Sequence, residues 1–182
     1  MTVATHTVPV TTYYLEMLNR SALSSKRANS GNYRVMQVEE PCPELNRFLY
    51  CAVGWQWFWT DKLPWNHERW KEYVEQPGFE TWVGYVGGTP AGYFELERET
   101  DAHVKIVYFG LLSQFTGRGF GGALLTAAIE RAWDLDAVRV WVHTCTLDHP
   151  AALPNYLARG FRVYNEETHH KTFALQPRRD WP

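Results

Sequence analysis

The sequence predicts a single α/β domain built on a mixed β-sheet. The chain has 182 residues, 45% of them hydrophobic, which is enough for one domain with a substantial core. Its elements follow one another as two helices, three strands, a long helix, a buried strand, a short helix and two last strands, and this mixture is typical of a mixed sheet. We expect the domain to cover residues 33–182. Residues 1–32, polar and weakly patterned except for a strand-like segment at 12–17, are expected to be an N-terminal extension.

The first half of the domain alternates one strand with two helices. Tyr33–Glu39 alternates apolar and polar residues as a strand does, and Pro41 ends it. Glu44–Val53 has apolar residues at helical spacing, and Asn66 is a suitable N-cap for a second helix that continues to about Glu75.

The second half contains the strongest structural signals. A Gly-Gly-Thr-Pro turn joins strands at Thr81–Val86 and Ala91–Arg98, and Ala102–Leu112 follows as a third strand. Phe120–Leu135 has one continuous apolar face and is the clearest helix. The chain then continues with a buried strand at Val138–Cys145, a short helix at Ala151–Arg159 and a closing hairpin at Phe161–Phe173.

Composition excludes several classes of protein. A net charge of −2 provides no general attraction to nucleic acid or to an anionic membrane, and the longest apolar stretch, Phe48–Trp59, is too short to cross a bilayer. The three cysteines are widely spaced and form neither a disulfide framework nor a metal-binding motif. We therefore expect a cytoplasmic protein that binds no metal, nucleic acid or membrane, while a homodimer is left open.

The segment from Gln114 to Gly122 has the features of an anion-binding turn. It lies between a strand and the clearest helix, and glycines at 117, 119, 121 and 122 let the backbone approach a ligand closely. The unpaired N–H groups and the dipole of the following helix favour a phosphate or pyrophosphate, which Arg118 could assist. A turn that only permits tight packing is the alternative.

Two other nucleotide-binding motifs fit this turn less well. Gly117, Gly119 and Gly122 satisfy the dinucleotide pattern G-x-G-x-x-G, but three residues separate the first glycine from the strand, and Asp134 and Asp136 precede the next strand instead of ending it. A phosphate loop of the Walker type would need Gly-Lys-Ser/Thr, which is absent. The pattern Q/R-x-x-G-x-G remains.

Two motifs in the correct order make the sequence similar to the GNAT acetyltransferases over about residues 33–175. They are Q/R-x-x-G-x-G/A at Gln114, Gly117 and Gly119, and Y-x-x-x-G-F at Tyr156, Gly160 and Phe161. The resemblance implies a mixed, mostly antiparallel sheet of six to seven strands with about four helices. It also implies a splayed gap between the fourth and fifth strands, here Ala102–Leu112 and Val138–Cys145.

The resemblance further implies that acetyl-CoA occupies this gap. The main-chain N–H of Leu111 would polarise the thioester carbonyl. Family members often carry Asn seven residues before the tyrosine, where this chain has His149, and Asn155 is the substitute candidate. The residues expected to contact the cofactor are Phe109, Leu111, Leu112, Gln114, Gly117, Arg118, Gly119, Phe120, Gly121, Gly122, Asn155 and Tyr156.

The resemblance assigns the acid but not the base. Tyr156 is the candidate general acid, since a phenol of pKa ~10 suits a thiolate whose thiol titrates near ~8–9. The glutamate that many family members carry on the fourth strand is replaced here by Lys105. Candidate bases are Glu95, Glu97 and His143, with Asp148 and His149 on the following loop; a solvated sheet face and a core histidine are the structural alternatives.

An aromatic segment between the two first helices is the candidate acceptor site. Trp57 and Trp59, together with Glu97, are expected to contact the acceptor, although each Trp could instead only pack on the sheet. We therefore predict an enzyme that transfers the acetyl group of acetyl-CoA to a small-molecule amine. Peptide or protein acetylation, and a catalytically silent acyl-CoA-binding module, are the competing hypotheses.

Overall fold

Seven strands form one mixed sheet in the computed structural model, which describes residues 5–174. The strands are β1 (Thr5–Met17), β2 (Tyr33–Gln37), β3 (Phe79–Val86), β4 (Thr89–Arg98), β5 (His103–Leu111), β6 (Arg139–Cys145) and β7 (Arg162–Ala174). The helices are α1 (Pro43–Gly54), α2 (His67–Val74), α3 (Phe120–Asp134) and α4 (Ala152–Ala158), with single 3-10 turns at Arg20–Ala22, Thr100–Ala102 and Ser113–Phe115. Within residues 5–174, no helix is long and apolar enough to cross a membrane.

The strand order is β2-β3-β4-β5-β6-β1-β7, and β5–β6 is the parallel pair among antiparallel neighbours. This confirms the predicted mixed, mostly antiparallel sheet with four helices. The helices cover both faces. The apolar face of α3, with Leu124, Leu125 and Ile129 fully buried, packs on one face together with α4, while α1 packs on the other through Leu49 and Val53.

The predicted gap is present between the strands at 102–112 and 138–145, which are β5 and β6 in chain order because β1 precedes them. Their pairing covers only His103–Lys105 opposite Arg139–Trp141. Beyond these residues the strands separate, and the second halves of both line a cavity. A parallel pair that separates in this way leaves space for a ligand inside the sheet.

The N-terminal segment is part of the sheet, which corrects the expected boundary at residue 33. Strand β1 lies between β6 and β7 and pairs with both. Leu15 and Met17 are fully buried in the core beneath α3. The threonine-rich sequence hid this strand because Val10, Leu15 and Met17 are the buried hydrophobic residues among its described side chains, too few for a continuous alternating pattern. Residues 1–4 and 175–182 lie outside the described residues.

Two further elements differ from expectation. The segment expected to form a hairpin, Phe161–Phe173, is instead mostly one long strand, β7, since β1 occupies the place beside it and pairs along its length. Strand β6 is not buried throughout: Val140, Val142 and Thr144 are buried, whereas His143 faces the other side and is exposed. The first difference follows from the insertion of β1 beside β7, and the second from the alternation of side chains along β6, which turns His143 toward the cavity.

Candidate active site

The gap between β5 and β6 opens into a cavity of about 940 Å³. Walls come from the ends of both strands, the loop before α3, the start of α4 and the aromatic segment after α1. The predicted site residues that it brings together are Trp57, Trp59, Glu97, Phe109, Leu111, Gly117, Gly119, Gly121, Gly122, His143, Asn155 and Tyr156. Residues from every predicted subsite therefore share one space.

The loop before α3 presents backbone to this cavity. Gly117 and Gly119 have φ angles of +77° and +85°, a left-handed conformation that a residue with a side chain adopts at a cost. Gly119 is the N-cap of α3, and no side chain within residues 5–174 caps this helix. The N–H groups of the first turn are therefore available to an anion, as the sequence predicted.

Two cations flank this helix start, and the sequence did not reveal them. A Cβ on Gly122 would lie 2.5 Å from Arg159 Nη1 and 2.6 Å from Lys26 Cδ, so both side chains pass directly over the first turn of α3. Both line the cavity. The main-chain N–H of Lys26 donates to Thr126 Oγ1 of α3, which fixes this part of the chain on the helix. Lys26 lies in a segment without local pattern, so only the tertiary structure could locate it.

Some predicted cofactor residues shape the loop without lining the cavity. Gln114 is exposed in the 3-10 turn, and Phe120 is 5% exposed in the core. The guanidinium of Arg118 lies 5.1 Å and 5.3 Å from the ring centroids of Phe115 and Phe120. The main-chain N–H of Leu112 donates to the Ala91 carbonyl. Direct contact of these residues with a cofactor stays a prediction.

Helix α4 connects the loop to the base of the gap. Asn155 Nδ2 donates to the carbonyl of Gly121 at 3.3 Å, so the substitute candidate is joined to the first turn of α3. Tyr156 is 4% exposed and its ring lies 6.0 Å from that of Phe109 on β5. Burial, reinforced by Asp148, raises the pKa of Tyr156 well above its ordinary value. The hydroxyl therefore holds its proton at neutral pH, and the same burial makes it a weaker acid than an exposed phenol.

The aromatic segment crosses the gap and contacts the loop after β6. The ring of Trp57 meets that of His149 edge-on at 4.9 Å, and Trp59 Nε1 lies 3.5 Å from Asp148 Oδ1. The other carboxylate oxygen of Asp148 accepts from Thr144 Oγ1 at 2.7 Å, so this contact is anchored on β6. Trp57 and Trp59 thus roof the cavity.

Glu95 is buried on the sheet face beneath α1 and α2, and the expectation of a solvated face is wrong for it. The side chain is 1% exposed and accepts hydrogen bonds from Asn46 Nδ2 at 2.8 Å and from the Tyr73 hydroxyl at 2.6 Å. Burial raises the pKa of Glu95 to about 7. Glu95 does not itself line the cavity, although Tyr73 and Glu97 do.

Lys62 is a further charged group in the cavity wall, and sequence reasoning missed it. Its Nζ lies 3.8 Å from the ring centroid of Trp65, 3.7 Å from that of Tyr73 and 5.5 Å from that of Tyr108. Burial lowers the pKa of Lys62 to about 8, even though the nearby Glu95 acts in the opposite direction. The available signal was a lysine within an aromatic-rich segment.

The other predicted bases are more exposed. His143 lines the cavity with more than a third of its surface exposed, and the surrounding protein together with Lys105 lowers its pKa. His149 Nδ1 accepts from a main-chain N–H two residues on. Among the described residues, no group of three or more His, Cys, Asp and Glu is placed to hold a metal ion.

A comparison with protein families decides the class of the molecule. The profile of the Acetyltransferase (GNAT) family matches residues 38–161, which is more than half of the chain. The chain belongs to the GNAT acetyltransferase family. The match includes the glycine loop, the strands that separate and the Tyr156-to-Phe161 motif.

Solved structures agree with this assignment. A GCN5-related N-acetyltransferase from Sphaerobacter thermophilus has a TM-score of 0.67 and 16% identity over 94% of this chain and 54% of its own. One from Kribbella flavida has a TM-score of 0.64 and 14% identity over 88% and 56%. An acetyltransferase from Bacillus subtilis in complex with CoA has a TM-score of 0.55 and 25% identity over 73% and 78%.

This chain thus spans little more than half the length of the first two proteins. No curated protein matches the sequence significantly.

Proposed function

We propose that this GNAT protein transfers the acetyl group of acetyl-CoA to a primary amine of a small molecule by direct attack. The observation that carries the proposal is the continuous cavity, which runs from the glycine loop before α3, through the gap between β5 and β6, to the aromatic segment. A cofactor held at the loop and extended through the gap would bring its thioester toward the aromatic end.

The residues present fit a pyrophosphate-bearing thioester. Gly117 and Gly119 leave open space above the uncapped start of α3, and Lys26 and Arg159 add positive charge there. Main-chain donors and cations together suit a doubly charged group. The gap then offers backbone of β5, from Phe109 to Leu111, to the remainder of the cofactor.

Two groups of this chain are suited to the chemistry. The main-chain N–H of Leu111 would stabilise the negative charge that develops on the carbonyl oxygen when the amine attacks. The Tyr156 hydroxyl, which keeps its proton because it is buried, would donate to the departing sulfur. Bound acetyl-CoA supplies the activated acyl group.

The cover that Trp57 and Trp59 form over the cavity favours a small molecule as the acceptor. Trp57 and Trp59 contact His149 and Asp148 across the gap, and this bridge leaves less room for a folded protein than an open groove would. The aromatic surfaces of Trp59 and Tyr108, whose ring centroids are 4.8 Å apart, suit the apolar part of a small amine or its cation.

Calorimetry and an acceptor screen together test the proposal. Acetyl-CoA should bind the wild-type protein and raise its melting temperature. Release of CoA should then be followed with panels of amino acids, polyamines, amino sugars and lysine-containing peptides. Tyr156→Phe should lower the rate of CoA release, and Tyr164→Phe, at an exposed tyrosine on β7, is its matched control. Absence of acetyl-CoA binding would reject the cofactor, binding without turnover would indicate a silent acyl-CoA-binding module, and turnover of peptides alone would reject a small acceptor.

A further inference from the structure

Among residues 5–174, Lys62 is the one buried cation in the cavity wall that the steps above do not use. The residue is 8% exposed, and none of the described carboxylates forms an ion pair with it within 4.0 Å. The rings of Trp65 and Tyr73, at 3.8 Å and 3.7 Å, hold its Nζ instead, with that of Tyr108 at 5.5 Å. An ammonium group that contacts aromatic rings in place of water or a carboxylate loses its proton more easily, so its pKa is lower than in water or in a salt bridge.

The charged groups around Lys62 are of both signs. Glu95, Asp61 and Glu97 favour its charged form, and Arg69, whose guanidinium carbon lies 4.4 Å from the ring centroid of Trp65, opposes it. Burial outweighs all of them and lowers the pKa of Lys62 from 10.5 to about 8. At pH 7.5 about a quarter of the Lys62 side chains would then be neutral, against about one in a thousand for an unperturbed lysine.

The position of Lys62 along β5 relates it to the reacting groups. Its ammonium is next to Tyr108, three residues before Leu111, which corresponds to about 10 Å along an extended strand. The side chain of Leu111 in turn lies beside the glycine loop, since a Cβ on Gly121 would be 3.6 Å from Leu111 Cδ1. Lys62 is thus farther from the glycine loop than Leu111 is, at the end of the gap where the acceptor would enter.

We propose that Lys62 is the general base, which takes the proton that an acceptor ammonium must lose before its nitrogen attacks the thioester. This inference rests on the proposed function. Glu95 is less suited because Tyr73 and Asn46 occupy its two oxygens and it does not line the cavity. Glu95 is therefore a positioning residue, whose hydrogen bond fixes the Tyr73 ring under the Lys62 ammonium.

The protons and electrons balance in this scheme. Neutral Lys62 accepts one proton from R–NH₃⁺, and the freed lone pair forms the bond between nitrogen and the acetyl carbon. The bond between that carbon and sulfur breaks with its electron pair on sulfur. The second proton of the nitrogen reaches the thiolate by way of the Tyr156 hydroxyl. The products are the amide, CoA with a free thiol and one proton, which Lys62 loses to solvent before the next cycle.

Substitutions at Lys62 test the proposal with the best primary amine of the acceptor screen. Lys62→Met should lower kcat/KM by about 100-fold and remove the rise of kcat/KM with pH near 8. Acetyl-CoA affinity, measured by calorimetry, should stay within about twofold, a change under half a kcal/mol. Lys62→Arg keeps a cation between the Trp65 and Tyr73 rings but cannot lose its proton, so it should be as inactive as Lys62→Met. Lys71→Met, on the exposed face of α2, is the matched control.

Two further measurements separate a base from a structural cation. Trimethylamine, which cannot form a stable amide, should restore part of the activity of Lys62→Ala, where the side chain leaves a space, and should not restore that of Lys62→Met. Glu95→Gln removes the charge that raises the pKa of Lys62, so the rise of kcat/KM should move to lower pH.

Full activity of Lys62→Met, or recovery with Lys62→Arg, would overturn the inference while leaving the acetyltransferase intact. A wild-type protein that binds acetyl-CoA but acetylates no amine would instead reject the proposed function, and the role of Lys62 with it.

Discussion

Replacing Glu95 by glutamine should make the stability of this GNAT protein less dependent on pH. Burial raises the pKa of Glu95 from 4.5 to about 7 in the folded protein. Between these values the folded chain keeps a proton that the unfolded chain has lost, so the contribution of Glu95 to stability falls as pH rises and levels off above 7. At 1.36 kcal/mol per pKa unit the whole decline is about 3.4 kcal/mol, of which about 2.5 kcal/mol falls between pH 5 and pH 8.

Glutamine can occupy this position because its neighbours can adjust. Asn46 Oδ1 is buried without a hydrogen-bond partner in the described part of the chain, so it can accept from the new amide group. A weaker hydrogen bond at this position would change the stability of the variant equally at both pH values, because neither the Asn46 amide nor the new glutamine amide titrates. The difference between the two pH values therefore reports the ionisation of Glu95 together with its effect on the neighbouring Lys62.

Urea unfolding at pH 5 and pH 8 measures this difference. The free energy of unfolding of Glu95→Gln, relative to that of wild type, should be larger at pH 8 than at pH 5 by about 2.5 kcal/mol. Glu97→Gln removes the same charge two residues along β4 at a partly exposed position and is the control for charge alone. Equal changes at both pH values would show that Glu95 is ionised at no cost when folded and would refute the reasoning.

Four other substitutions test the cofactor site, the general acid and the packing beside the gap. Lys26→Ala and Arg159→Ala should each weaken acetyl-CoA binding by about tenfold in calorimetry, less at high salt, as expected for charge-assisted contacts; a salt-independent loss would contradict this. Tyr156→Phe should reduce kcat by at least about tenfold with unchanged cofactor affinity, and unchanged kcat with chemistry rate-limiting would exclude the acid role. Gly110→Ala places a Cβ against Val53 Cγ1 and should destabilise the fold by about 1–3 kcal/mol; Val53→Ala should restore part of it, and additive effects would deny the contact.

Local patterns were sufficient for the elements that define the family. Three such features are the glycine loop, the apolar face of α3 and the Tyr156-to-Phe161 motif. Each is formed by residues that are close together in the sequence, and its chemistry depends on main-chain conformation and helix geometry. Residue type and spacing therefore predicted the place of the anion-binding turn, whereas the splayed gap was predicted from the resemblance to the GNAT acetyltransferases.

Contacts between distant segments could not be predicted in this way. Strand β1 looks polar in isolation and gains its place only by pairing with β6 and β7, far along the chain. Lys26 meets Arg159 over Gly122 for the same reason. In the sequence, Glu95 is one acidic residue on an alternating strand, and nothing near it indicates that α1 and α2 bury it.

The sequence by itself determined the family, the fold and the end of the cavity where a pyrophosphate would bind, because these depend on backbone conformation that short motifs encode. Only the tertiary structure decided the protonation of the charged groups at the aromatic end of the cavity. The pKa values of Glu95 and Lys62 depend on how completely α1, α2 and the aromatic segment exclude water from them, and that exclusion is a property of the packed chain.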